Sequence, residues 1–268
     1  MLPKIVAVLR FIRAPLVVTV WSHLFAGGLI TLWYPWPLWI GFTCVYLFGM
    51  AHNDWVDRER DKKMNPFRPL PSNALTENTA RLILAMLAFG VAFSFLYVET
   101  NCDLEMHKWH EIFSTCPLIC DMIKFSIPFS FLCTIGYNLF KDRFPRGSSL
   151  LLGSARSAVW FPFAVGYCVP MKFSTVSATW YPMLIVGSVG TLITLWSTYE
   201  DFHPSRKIWT LRFLLALPIL DAFLVYYFHE DGISARDEMY VPEASIWLGL
   251  FPVLSLVGYL GVRALRKA

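Results

Sequence analysis

Long apolar runs alternate with short polar connections along most of the chain. A membrane-crossing helix needs about 20 predominantly apolar residues. Runs of that length predict helices, to within a few residues at each end, at 14–33, 36–54, 80–98, 120–140, 149–169, 178–199, 208–228 and 244–263. The pattern predicts an all-α, polytopic membrane helix bundle of about eight transmembrane helices, with residues 1–268 forming a single domain. Pro162, Pro182, Pro218 and Pro252 fall within or near these runs. Neighbouring helices can satisfy the backbone groups such prolines free, so they do not argue against the spans.

Composition agrees. The chain has 268 residues, 56% of them hydrophobic and only 16% charged, against about 25% charged in soluble domains. The net charge of +4 says little by itself and points to no nucleic acid. Its distribution says more. One set of connections carries Lys4, Arg10 and Arg13, then Arg58, Arg60, Lys62, Lys63, Arg68 and Arg81, then Lys141, Arg143 and Arg146, then Arg206, Lys207 and Arg212, and last Arg263, Arg266 and Lys267. The alternate connections carry Lys108, Lys172 and Arg236. Cationic loops stay on the cytoplasmic side, so both termini are expected there, which requires an even number of spans. The start, Met1-Leu2-Pro3-Lys4, leads into the first span without an evident cleavage site.

The second span runs into the most polar stretch of the sequence, Asn53 to Pro71. It holds Asn53, Asp54, Asp57 and Asp61, then Arg58, Arg60, Lys62 and Lys63, then Arg68-Pro69-Leu70-Pro71. On a helix, Asp54, Asp57 and Asp61 are spaced i, i+3, i+7 and share one face with Asn53. Carboxylates stacked in this way repel, so something must compensate them. Carboxylate oxygens suit a hard divalent cation such as Mg²⁺, which completes its shell with water and phosphate oxygens. Asn65-Pro66 and Pro69 end the helix and leave Arg68 on a stiff segment from which it can grip a phosphate.

Other junctions on the same side repeat the theme more weakly. Tyr199-Glu200-Asp201 closes the sixth span and is followed by His203, Arg206 and Lys207. Tyr137 and Lys141 close the fourth, and Gly153-x-x-Arg156 lies inside the fifth. An arginine within a span is expected to face a cavity or a partner. Asp221, inside the seventh span, needs one too. Arg13-Ala14-Pro15 reads as a helix start and interfacial anchor first, and as a ligand contact second. The loop at 99–119 holds Cys102, His107, His110 and Cys116, with Cys120 beyond. A zinc site is conceivable there, but the spacing matches no common zinc module, and an exofacial loop with thiols or a disulfide is the plainer reading.

Asn53-Asp54-x-x-Asp57-x-x-x-Asp61 followed by Arg68-Pro69-Leu70-Pro71 resembles the first signature of the UbiA superfamily of intramembrane prenyltransferases. Arg13 with Pro15, Tyr137 with Lys141, and Gly153-x-x-Arg156 resemble further family features, and Asp201 falls where a second Asp-rich motif belongs. The resemblance implies a helical bundle around a central cavity open to the cytoplasmic side. There Mg²⁺ and the two motifs bind the diphosphate of an isoprenoid donor, whose ionisation gives an allylic cation that an acceptor captures. Two departures stand out. Ser205 occupies the position four after Asp201, beside Pro204, where a second acid is usual. About eight spans are counted where the family usually has nine.

The resulting expectation is Mg²⁺-dependent transfer of a prenyl or polyprenyl group from a diphosphate to a small acceptor, aromatic or lipid, within the bilayer. Asn53, Asp54, Asp57, Asp61, Glu200 and Asp201 are the candidate metal ligands, with Asp54, Asp57, Asp61 and Asp201 carrying catalysis. Arg68, Lys141, Arg156, Tyr137, Lys62 and Arg206 are the candidate diphosphate contacts. A membrane terpene cyclase and a non-catalytic isoprenoid-binding protein are the alternatives. A transporter fits less well, because the acids cluster at one face rather than at the midplane where coupling sites lie.

Overall fold

The computed structural model describes residues 2–31, 36–106, 117–168, 177–201, 208–233 and 250–267, and no described residue is in a strand. The elements are α1 (Leu2–Phe11), a short 3-10 turn (Ala14–Val17), α2 (Val18–Thr31), α3 (Trp36–Val56), α4 (Arg58–Met64), α5 (Glu77–Met106), α6 (Pro117–Phe140), α7 (Pro145–Cys168), α8 (Ser177–Asp201), α9 (Ile208–Ile233) and α10 (Leu250–Lys267). The chain is an all-α, polytopic membrane bundle, as the apolar runs predict.

Fewer helices than eight satisfy length and apolarity together. Among the described residues, segments of α5, α6 and α9 do, and α1 with α2 makes a fourth span if the pair, bent by 42°, is taken as one. Tyr181–Ser197 and Leu250–Leu265 are apolar but shorter. The predicted spans at 36–54 and 149–169 are helical, yet α3 carries His52, Asn53 and Asp54 and α7 carries Arg156 and Ser157, which lower their apolar content. The cysteine- and histidine-bearing loop, from His107 to Cys116, and Ser205 lie outside the described residues.

Side-chain contacts give the helix directions. Ser130 on α6 donates to the carbonyl of Ala155 on α7 at 3.0 Å, and a Cβ on Gly136 would meet Leu151, so these helices are antiparallel. So are α7 and α8, where Gly153 faces Gly187 and Thr191 while Ser157 donates to the carbonyl of Met183 at 3.1 Å. A Cβ on Gly153 would sit 2.7 Å from the Gly187 carbonyl oxygen. Glycine is what lets these two backbones approach. α10 runs back along α2: Phe251 packs on Phe25, Gly258 on Val18, Gly261 on Pro15, and Arg10 donates to the Leu265 carbonyl at 2.6 Å. Consequently α2, α7 and α9 run away from the end that carries Asn53–Pro71, whereas α8 and α10 return to it.

Leu24, Phe42, Ile127 and Phe163 are fully or almost fully buried in the main core, which joins α2, α3, α6 and α7. Phe11, Ala51, Leu70, Leu75 and Ala80 form a separate cluster that seats the loop after α4. The outer stripe of α5 exposes Leu82, Met86, Phe89, Phe93 and Leu96, spaced three or four residues apart along one helix face. Such a stripe is stable against lipid rather than water.

Candidate active site

The acidic stretch stays helical across the boundary between α3 and α4. The amide of Asp57 donates to the Asn53 carbonyl at 3.0 Å, and that of Asp61 to the Asp57 carbonyl at 2.8 Å. The i, i+3, i+7 register therefore survives. Asn65 leaves helical geometry with φ −143°, and Pro66 cannot continue the α4 ladder. The chain then folds back, with Ser72 donating to the Arg68 carbonyl at 3.0 Å and Leu75 to that of Pro69 at 3.0 Å. Leu70 and Leu75 are buried beneath it. Arg68 is thus presented by a folded, anchored loop.

All three aspartates are buried, at 4% exposure for Asp54 and Asp57 and 1% for Asp61. They fall into two groups. Arg68 bridges Asp54 at 3.1 Å and Asp61 at 2.5 Å, as expected for carboxylates two helical turns apart. Arg13 adds a second ion pair to Asp54 at 2.8 Å. Asp57 is turned toward α6, where Lys141 reaches it at 2.5 Å and also donates to the Asn53 amide oxygen at 2.6 Å. Arg60 completes that group at 2.8 Å from Asp57 and 2.8 Å from Asp142. Asn65 donates to Asp61 at 2.9 Å. The compensation that stacked carboxylates require comes here from Arg13, Arg60, Arg68 and Lys141, four cations against three acids.

Two positions explain the geometry. Arg13 has φ 48°, the left-handed region, which side chains bearing a Cβ adopt at a cost. This residue makes the turn between α1 and the 3-10 segment, and the turn accompanies the placement of its guanidinium on Asp54. Lys141 follows directly after α6. It is held there by Asn138, which donates to the Gly49 carbonyl at 3.0 Å and so ties α6 to α3. Burial pushes the Lys141 ammonium below its ordinary pKa, and the hydrogen bond and charge of Asp57 oppose that shift.

The remaining candidates sit differently. Tyr137 is half-buried and lies within electrostatic reach of Arg13. Lys62 is exposed and pairs with Glu59 at 3.0 Å on the outer face of α4, away from the aspartates. Arg156 is buried one level deeper in the bundle, with Tyr46 and Asp221 as its ionisable neighbours. Glu200 and Asp201 are the last two residues of α8, which ends on the same side of the bundle as Asp54. Their side chains, and Arg206 entirely, lie outside the described residues. Among the described residues, no three Asp, Glu, His or Cys side chains converge as a ready cation cage. The sequence did not single out Arg60, Asn65 or Asn138 as site residues, although Arg60 stands i+3 from Asp57, the spacing at which helical ion pairs form.

Residues 16–102 match the UbiA prenyltransferase family. The match covers Asp54, Asp57, Asp61 and Arg68 and stops before Lys141 and Arg156. It agrees with the family resemblance carried by the aspartate motif. No curated protein and no solved structure matches the chain.

Proposed function

We propose that the chain is a membrane-embedded, Mg²⁺-dependent prenyltransferase that moves a prenyl or polyprenyl group from a diphosphate donor to a small acceptor in the bilayer. The observation that carries this reading is the cluster of buried aspartates, each already matched to a cation. The donor set fits a hard divalent ion: Asp54, Asp57 and Asp61 offer carboxylate oxygens, Asn53 an amide oxygen, and the ion pairs of Asp54 and Asp57 fall on one oxygen of each. Asp201 and Glu200, the last two residues of α8, are the candidates to complete the set. When bound there, Mg²⁺ supplies charge neutralisation to the leaving diphosphate.

The protein's own part is an exchange of partners. Arg13, Arg68 and Lys141 now hold carboxylates. With a metal on the carboxylates, these cations would be free to donate to the diphosphate oxygens, where arginine is a forked donor and lysine a point charge. Tyr137 is a further candidate contact, Arg156 lies deeper in the bundle, and Lys62 and Arg206 are weaker candidates. Apolar and aromatic side chains around the site would exclude water from the allylic cation and face it with aromatic rings. The site opens to the cytoplasmic side by the charge asymmetry of the loops.

The test is mass spectrometry of products and of released diphosphate. Purified protein receives Mg²⁺, prenyl diphosphates of several lengths and a mixed acceptor panel. Asp54→Asn and Asp57→Asn should each abolish Mg²⁺-dependent diphosphate release. Turnover at the native rate in both variants would refute the assignment.

A further inference from the structure

A second polar centre lies inside the bundle, away from the aspartate cluster. His23 on α2 and Asp221 on α9 are both completely buried. The Nδ1 of His23 sits 2.8 Å from both carboxylate oxygens of Asp221, so Nδ1 carries a proton and donates it. Ser22 donates to the same carboxylate at 2.5 Å. The ring is therefore held at one nitrogen, and its other nitrogen, Nε2, is buried with no hydrogen-bond partner.

Of the three further buried nitrogens in that condition, Arg58 Nε belongs to the aspartate end, and the other two are a terminal guanidinium nitrogen of Arg156 and the indole Nε1 of Trp160. Arg156 is 9% exposed and Trp160 1%. One helical turn separates them on α7, so they share a face. The packing brings that face to His23 and Asp221. Trp160 clusters with Ala26 of α2 and with Leu224 and Val225 of α9. Those residues lie one turn beyond His23 and Asp221, just as Trp160 lies one turn beyond Arg156. Because α2, α7 and α9 run in the same direction, His23, Arg156 and Asp221 occupy one level and Trp160 the next. Arg156 is eleven residues into α7, about 16 Å along its axis at about 1.5 Å per residue.

Buried polar atoms are nearly always hydrogen-bonded, and a group of them left open together in one region marks a place for a ligand or water. We propose that His23, Arg156 and Trp160 form a buried subsite for a hydroxyl group of a lipid-soluble ligand, with Asp221 and Ser22 as positioning residues for His23. A hydroxyl oxygen accepts from the guanidinium and the indole. Its hydrogen is donated to Nε2, the ring nitrogen left as an acceptor by the proton on Nδ1. An ether or hydrocarbon cannot do both. Where the chain transfers a prenyl group, as proposed above, this ligand is the acceptor, entering from the membrane rather than through the diphosphate site.

The experiment is equilibrium binding of isotope-labelled 4-tert-butylphenol and its methyl ether to the purified full-length protein in lipid nanodiscs, without any prenyl diphosphate. The phenol should bind roughly tenfold more tightly than the ether, because the ether leaves buried groups unpaired. His23→Phe should erase that preference. Trp160→Phe, which keeps Asp221 and His23 intact, should reduce it while leaving ether binding unchanged. Equal affinity of the two probes for the native protein, the mark of a merely hydrated centre, would overturn the proposal. So would a preference that survives both substitutions. Donor chemistry plays no part in the measurement. A protein that discriminates the probes but releases no diphosphate keeps the subsite and loses the transferase reading.

Discussion

Replacing Lys141 by Met gives the sharpest test of how the aspartate cluster is held together. Lys141 is 8% exposed and its ammonium contacts both Asp57 and Asn53. Removing one member of a buried ion pair costs about 3–5 kcal/mol when the survivor is left unpaired. Asp57 is not left wholly alone, since Arg60 remains 2.8 Å away, but that arginine is half-exposed and screened by solvent. The expected loss is therefore about 2–3 kcal/mol, at or below the bottom of that range. For a chain of this size that lowers Tm by about 5–10 °C. Asp57→Asn should cost a similar amount, because it leaves the buried Lys141 ammonium with amide oxygens in place of its carboxylate partner. The double variant removes both charges, and Arg60 retains Asp142. It should lose less than the sum of the two singles by at least about 1 kcal/mol, the coupling expected of residues in one network. The assay is thermal unfolding of all four proteins in one detergent, followed by helical circular dichroism. Tm losses that simply add would refute the pairing of Lys141 with Asp57 as the support of this half of the site.

The same lysine sets a pH dependence. Its folded-state pKa is lowered from 10.5, chiefly by burial, so between that lowered value and 10.5 the unfolded chain binds more protons. Stability contributed by this group therefore rises with pH through the window, while the positive charge offered to an anion is lost. Binding of inorganic diphosphate, followed by calorimetry, should weaken as the pH rises through the window below 10.5, and Lys141→Arg should remove that limb. At Arg13 the left-handed backbone and the ion pair to Asp54 separate cleanly. Both Arg13→Ala and Arg13→Gly lose the ion pair, but glycine accepts φ 48°, so the glycine variant should be the more stable by about 1 kcal/mol in denaturant titration. In Gly153→Ala the new methyl meets a backbone carbonyl that cannot step aside, so α7 must lift from α8. A loss of about 1–3 kcal/mol is expected in denaturant unfolding, together with a smaller preference for the phenol over its methyl ether through a displaced Arg156, measured by the probe binding described above.

What the sequence made legible was local. The i, i+3, i+7 register of Asp54, Asp57 and Asp61 follows from helical spacing alone, and the backbone hydrogen bonds at Asp57 preserve it. The proline-bounded arginine also follows from local rules, because Pro66 and Pro69 must end α4 and stiffen the loop. The demand for a partner at Asp221 came from the cost of burying a charge. Its answer did not, because His23 lies 198 positions away in sequence and reaches it only through the packing of α9 on α2. Spacing likewise gave no warning that Asp57 would part from its neighbours. That division depends on where α6 ends, which Asn138 fixes by bonding to the Gly49 carbonyl.

Arg13 shows the same limit from the other direction. An arginine before an Ala-Pro helix start reads locally as an interfacial anchor, and nothing in its neighbourhood names Asp54. Yet burying three carboxylates within two helical turns is affordable only if cations arrive from elsewhere in the chain. Two of those found here, Arg60 and Arg68, come from the motif's own neighbourhood, and two, Arg13 and Lys141, come from other helices. The local pair can hold the acids wherever the segment goes. The distant pair can do so only in the assembled bundle, which couples the site's electrostatics to its folding. A diphosphate arriving with a divalent ion would meet carboxylates and cations already brought together, needing only to change partners. Preorganised charge of that kind is what lowers the reorganisation required when a leaving group develops its charge.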